Sequence, residues 1–220
     1  MKITQIKNRI PSKLYEVLSR QDFKEFRPCQ EKAIKKGLLD DKNLVVCTPT
    51  ASGKTWVAKL AAVKNILEGK GKTVYIVPLK ALASEKYKEF TKDFPFLKTA
   101  LSIGDLDSSD PYLADYDLII TTSEKFDSLI RHKIYWLNQI HTIVIDETHL
   151  LNDAGRGPTL EILITMLRQI LHNCQIIALS ATIGNPGTLA DWLDAGLVID
   201  KWRPVKLHQA TYLNEKLEFF

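Results

Sequence analysis

The apolar run Leu44-Val45-Val46-Cys47 leads directly into Thr48-Pro49-Thr50-Ala51-Ser52-Gly53-Lys54-Thr55. Val57, Leu60, Ala61 and Leu67 then recur at helical spacing before Gly69, an expected C-cap. A strand, a loop of small residues and a helix in that order constrain this chain more than any other stretch. Such a loop turns backbone N–H groups and the positive end of a helix toward one point, as a polyphosphate requires. Thr50, Ala51, Ser52 and Gly53 would supply the loop, with Gly53 allowing close backbone approach. Lys54 would reach the β- and γ-phosphates, and the Thr55 hydroxyl would bind Mg2+. The full pattern, G-x-x-x-x-G-K-[ST], has glycine where this chain has Thr48. Taken alone, the stretch is also compatible with an ordinary strand-loop-helix bearing a solvated lysine.

At 220 residues the chain can bury one sizeable core, so a single α/β domain is expected. No apolar run approaches the length of a membrane span, and the start Met-Lys-Ile-Thr-Gln-Ile-Lys lacks the apolar centre of a signal peptide. The expectation is a cytoplasmic protein with no membrane partner. Cys29, Cys47 and Cys174 lie far apart and, like the five histidines, show no metal-ligand spacing, so small buried hydrophobes are the expected role of the thiols. The formal charge of +4 is uneven: residues 1–39 carry ten Lys/Arg against four Asp/Glu, and the remainder is net −2. A basic amino-terminal segment can meet nucleic acid, or simply present a solvated helical face.

Apolar periodicity predicts short helices over 11–20 and 29–39, with Pro11 and Pro28 near their starts. Buried strands follow at 73–77, 98–103, 117–121, 141–145 and 175–179, with a further short apolar run at 197–200. Helices between them are expected to 93, over 124–132 with Ser123 as cap, over 159–171 and over 186–193. The stretch 104–111 reads as a polar loop, and 201–220 fits the alternation poorly. Alternating strands and helices imply a parallel sheet covered on both faces, with its ligand at the carboxyl ends of the strands.

At one such end stands Asp146-Glu147-Thr148-His149. Downstream of a Gly-Lys-Thr loop, Asp146 would hold Mg2+ and Glu147 would polarise the water that attacks the γ-phosphate. His149 is placed to bridge these carboxylates to Ser180 and Thr182 at the next strand end, coupling nucleotide state to polynucleotide grip. Gln30, upstream of the loop, has on one amide the donor and acceptor that an adenine edge requires.

Together these residues resemble the superfamily 2 DExH-box helicases, in the Ski-two-like group, and most of all the archaeal DNA-repair helicases. Phe-Arg-Pro-Cys-Gln at 26–30 looks like the adenine-reading Q motif. Thr-Pro-Thr-Ala-Ser-Gly-Lys-Thr at 48–55 is similar to the group's motif I, in which the first glycine is usually absent. Asp-Glu-Thr-His at 146–149 and Ser-Ala-Thr at 180–182 match motifs II and III. Pro-Leu-Lys-Ala-Leu-Ala at 78–83, Gly104-Asp105 and Thr-Thr-Ser-Glu-Lys at 121–125 look like motifs that hold a polynucleotide backbone. The resemblance implies that Pro78, Lys80, Gly104, Thr121, Thr122 and Ser123 contact phosphates, without reading bases.

It also implies a P-loop RecA-like three-layer sandwich with a mostly parallel central sheet. The implied layout is an amino-terminal helical segment with the Q motif (1–39), a first RecA-like domain (40–204) and the start of a linker (205–220). The implied activity is that of an ATP-dependent DNA helicase moving 3′ to 5′ on single-stranded or forked DNA, with RNA as the alternative substrate. A second RecA-like domain would supply the arginines that complete the ATP site. A non-catalytic nucleic-acid-binding module and a small-molecule P-loop kinase are the readings from other classes.

Overall fold

The strands are unbroken apolar runs because helices cover both of their faces, and the alternation within each strand assigns its side chains to one face or the other. The computed structural model describes residues 1–21, 23–104, 109–205, 210–213 and 216–219. Within them, β1 (Leu44–Cys47), β2 (Lys72–Val77), β3 (Thr99–Ser102), β4 (Leu118–Thr122), β5 (Ile140–Ile145), β6 (Gln175–Ser180) and β7 (Gly196–Ile199) form one sheet. Its order is β3-β4-β2-β5-β6-β1-β7, and every neighbouring pair is parallel. The sheet is therefore wholly parallel, where a mostly parallel one was expected.

Leu44 and Val46 of β1, Tyr75 and Val77 of β2, Val144 of β5, and Ile177 and Leu179 of β6 share one core. On that face lie α1 (Ser12–Arg20), α2 (Pro28–Lys35), α3 (Lys54–Leu67) and α4 (Lys80–Asp93). The alternate residues Val45, Val74, Ile76, Ile143, Ile145, Ile176 and Ala178 enter a second core under α5 (Ser123–Arg131), α6 (Gly157–Ile170) and α7 (Pro186–Trp192). Three layers result, with the amino-terminal helices packed into the same core as the phosphate-loop helix.

Several boundaries differ from expectation for local reasons. The helix expected over 29–39 ends at Lys35, because Gly37 takes φ +98° and the chain restarts as a 3-10 turn, Leu38–Asp40. α5 is capped by Thr122, whose Oγ1 accepts from the Lys125 N–H at 3.3 Å, so Ser123 is its first residue and not its cap. Beyond β7, β8 (Ala210–Leu213) and β9 (Lys216–Phe219) pair antiparallel in a separate ribbon. Of the loop expected at 104–111, residues 105–108 lie outside the described residues, Asp105 among them.

Buried polar groups tie the layers together. Asn65 of α3 donates to Thr142 Oγ1 and Gln175 Oε1, both at 2.9 Å, and Gln175 in turn donates to the Leu38 and Lys42 carbonyls. Lys59 of α3 is almost wholly buried, pairing with Glu89 and Asp93 of α4 at 2.7 Å each. No described helix is long and apolar enough to cross a membrane.

Candidate active site

The carboxyl end of β1 opens into the loop that holds the first half of the site. Thr48 is fully buried, its N–H donates to the Ser180 carbonyl at 3.2 Å, and its hydroxyl lies 2.7 Å from Ser52 Oγ. A glycine could make only the first of these bonds, so the departure from the G-x-x-x-x-G-K-[ST] pattern gives the loop an internal brace. Two residues in the left-handed region shape the rest, Ala51 at φ +63° and Gly53 at φ +94°. A Cβ on Gly53 would lie 2.6 Å from Gln30 Nε2, so glycine is required for conformation and for space.

Gln30 is fully buried, and its amide faces the loop. Its Oε1 accepts the Arg27 N–H at 2.9 Å and its Nε2 donates to the Gly53 carbonyl at 3.0 Å. Both ends of the carboxamide are thus engaged within the chain, so the expected two-point reading of adenine would require these bonds to break. Arg27, to which the sequence assigned no role of its own, donates from Nη1 to the Ala51 carbonyl at 2.8 Å. Its guanidinium also stacks on Trp202, 5.5 Å from the ring centroid. Trp202 is 38% exposed, and its N–H donates to Asp200 Oδ1, while Asp200 Oδ2 pairs with Lys32 at 2.8 Å.

Lys54 opens α3, and its buried ammonium lies 3.2 Å from each oxygen of Glu147. Lys54 at the start of α3 and Glu147 just past β5, 93 positions apart in the sequence, are thus brought together. Glu147 has φ +54°, unusual for a residue with a side chain, and its N–H donates to Asp146 Oδ1 at 2.9 Å. Asp146 Oδ2 accepts the Tyr75 hydroxyl at 2.8 Å. Burial pushes the Asp146 carboxyl above its ordinary range.

Asp146 just past the carboxyl end of β5 and Thr55 in the first turn of α3, the helix whose first residue Lys54 reaches Glu147, offer the hard oxygens that Mg2+ takes. An arriving cation would relieve the cost of the buried Asp146 charge. Among the described residues no group of three or more His, Cys, Asp or Glu is arranged to hold a metal ion, so a metal here would need oxygens from the nucleotide or from water as well.

His149 Nδ1 stands 3.2 Å from Glu147 Oε2, but the expected bridge onward is not formed. Ser180 Oγ is buried without a hydrogen-bond partner among the described residues, and Thr182 is exposed. Contact with β6 comes instead from Thr148, whose hydroxyl donates to the Leu179 carbonyl at 2.7 Å. The expected backbone-holding residues also divide. Pro78 is half-buried and Lys80 exposed at the amino end of α4, and Gly104 takes φ +109° with no described residue other than its chain neighbours within 4 Å of where its Cβ would lie. Thr121, Thr122 and Ser123 are buried, and Lys125 is buried and paired with Asp110 at 2.9 Å, so none of these four side chains faces solvent in this arrangement.

The sequence pattern of the DEAD/DEAH box helicases matches residues 27–189. The chain belongs to that family. It is 52% identical over 215 residues to the ATP-dependent DNA helicase Hel308 of Methanocaldococcus jannaschii, a match covering 94% of this chain and 18% of that protein. To Hel308 of Pyrococcus horikoshii it is 48% identical over 214 residues, covering 96% of this chain and 29% of the relative. Among solved structures it resembles the DUF1998 helicase MrfA bound to DNA and AMPPNP, with a TM-score of 0.76 and 25% identity over 88% of this chain and 29% of that one. The chain thus spans less than a third of the length of these relatives.

Proposed function

We propose that this chain is the nucleotide-binding first motor domain of an ATP-dependent DNA helicase. The observation that carries this reading is the 3.2 Å pairing of Lys54 with Glu147, which joins the phosphate loop to the β5 carboxylates. When a nucleotide binds, Lys54 leaves Glu147 for the phosphates, and the freed carboxylate can orient a water. Asp146 and Thr55 would hold Mg2+, which when bound neutralises phosphate charge and stabilises the leaving oxygen. The relatives named as ATP-dependent DNA helicases support DNA as the polynucleotide, and translocation 3′ to 5′ on single-stranded or forked DNA belongs to the same proposal. The buried Thr121, Thr122 and Ser123 would then serve the backbone through the amino end of α5, leaving Lys80 and the α4 terminus as the outward-facing donors.

A second RecA-like domain would supply the cationic groups that stabilise charge in phosphoryl transfer. The test is ATP turnover by residues 1–220 and by the longer protein, each with single-stranded DNA, with RNA and with neither. Turnover by the longer protein alone, stimulated more by DNA than by RNA, is the expected result. Equal turnover by the short chain would sink the claim of an incomplete site.

With the Gln30 amide turned into the loop, the base is proposed to pack on Trp202, beside Arg27. Trp202→Ala is then expected to weaken nucleotide binding by about five- to a hundredfold, the range for one base–aromatic stack, while leaving competition by free triphosphate unchanged. Equal losses for nucleotide and triphosphate would remove Trp202 from base binding.

A further inference from the structure

We infer that Tyr75 is a positioning residue for the Asp146 carboxylate and sets its readiness to take a metal ion. The inference rests on the reading of Asp146 as a metal-holding residue. Tyr75 lies in the middle of the sheet, on β2, and is fully buried. Its ring is held edge-on by Phe90 of α4 at 5.5 Å, and its hydroxyl is the one polar atom its side chain brings into this core.

That hydroxyl donates to Asp146 Oδ2, and the Glu147 N–H donates to Oδ1, so each carboxylate oxygen is held by one donor. The Asp146 N–H donates to the Ile76 carbonyl at 2.8 Å, so the residue after Tyr75 fixes the Asp146 main chain as well. A carboxylate oxygen has two lone-pair positions, so with one used on each oxygen the other remains for a cation or its water. Strand β2 therefore fixes the orientation of the carboxylate from below before any ligand arrives. Removing the phenolic oxygen would release Oδ2 while keeping the ring and its packing.

The alternative is that the bond merely satisfies a buried hydroxyl, and the two differ in what Tyr75→Phe does to metal dependence. Binding of a fluorescent ADP analogue would be titrated with MgCl2 and repeated in EDTA, using the full-length protein. Tyr75→Phe is expected to raise the half-saturating Mg2+ concentration by about ten- to a hundredfold, the range for losing a group that orients a metal ligand. Affinity in EDTA should stay near wild type, and thermal melting without metal should fall modestly in a still folded protein, because the bond is already made before metal arrives. In an Asp146→Ala background, the same Tyr75→Phe change should have no further effect.

An unchanged Mg2+ requirement in folded Tyr75→Phe would overturn the proposal, as would an equal effect with and without Asp146. Failure of the underlying reading looks different: the Asp146→Ala protein alone would then bind nucleotide with the Mg2+ dependence of wild type.

Discussion

Lys54→Ala is expected to lower nucleotide affinity by about two to four orders of magnitude while leaving the fold intact. The estimate takes two charge-assisted hydrogen bonds to phosphate at about 1.5–3 kcal/mol each, with every 1.4 kcal/mol a factor of ten. Fold integrity follows from what Lys54 touches now. Its partner Glu147 has 27% of its side chain exposed, so water can take up the carboxylate once the ammonium is gone. The α3 helix keeps its apolar anchors, Val57, Leu60, Ala61 and Val63, all fully buried. Isothermal titration with ADP and ATP analogues, alongside thermal melting, checks both halves. A folded variant with wild-type affinity would overturn the phosphate-loop assignment.

Much of this arrangement was legible in the chain because helical spacing and unbroken apolar runs carry it. Period-two alternation could not show along the doubly covered strands, yet their unbroken apolar runs gave both the parallel sheet and its carboxyl ends, where Lys54, Asp146 and Glu147 meet. Sequence spacing says little where a side chain's direction depends on a distant partner. Gln30 and Gly53 are 23 positions apart, and only packing of α2 against the loop turns the amide inward. Lys125, which the sequence places in a backbone-holding motif, is paired with the carboxylate of Asp110, 15 positions away. The cap of α5 moved by one residue because Thr122 and Ser123 both offer a hydroxyl, and only backbone geometry chooses between them.

Tyr75 did leave a signal. A tyrosine inside a strand buried on both faces must find a partner for its hydroxyl, and a carboxylate at the end of a neighbouring strand is a natural one. Nothing comparable marked Arg27 and Trp202, which meet across 175 positions through a stack that sequence spacing does not encode.

Glu147→Gln should separate binding from hydrolysis. Glutamine matches glutamate in size, so the φ +54° backbone and the N–H bond to Asp146 Oδ1 can both persist. It cannot, however, accept a proton from water, and loss of a positioned acid–base group costs about 10²–10⁴ in rate. DNA-stimulated turnover of the full-length protein is therefore expected to fall by that factor.

Affinity should move the other way or not at all. In the present arrangement, bound nucleotide must displace Glu147 from Lys54, and a neutral amide competes less well for the ammonium than a carboxylate does. Single-turnover hydrolysis and equilibrium titration on one preparation would read both quantities. A variant that binds normally and hydrolyses at the wild-type rate would move the water-activating role away from Glu147. One that loses binding as severely as Lys54→Ala would mean that Glu147 holds the loop and does not merely compete for its lysine.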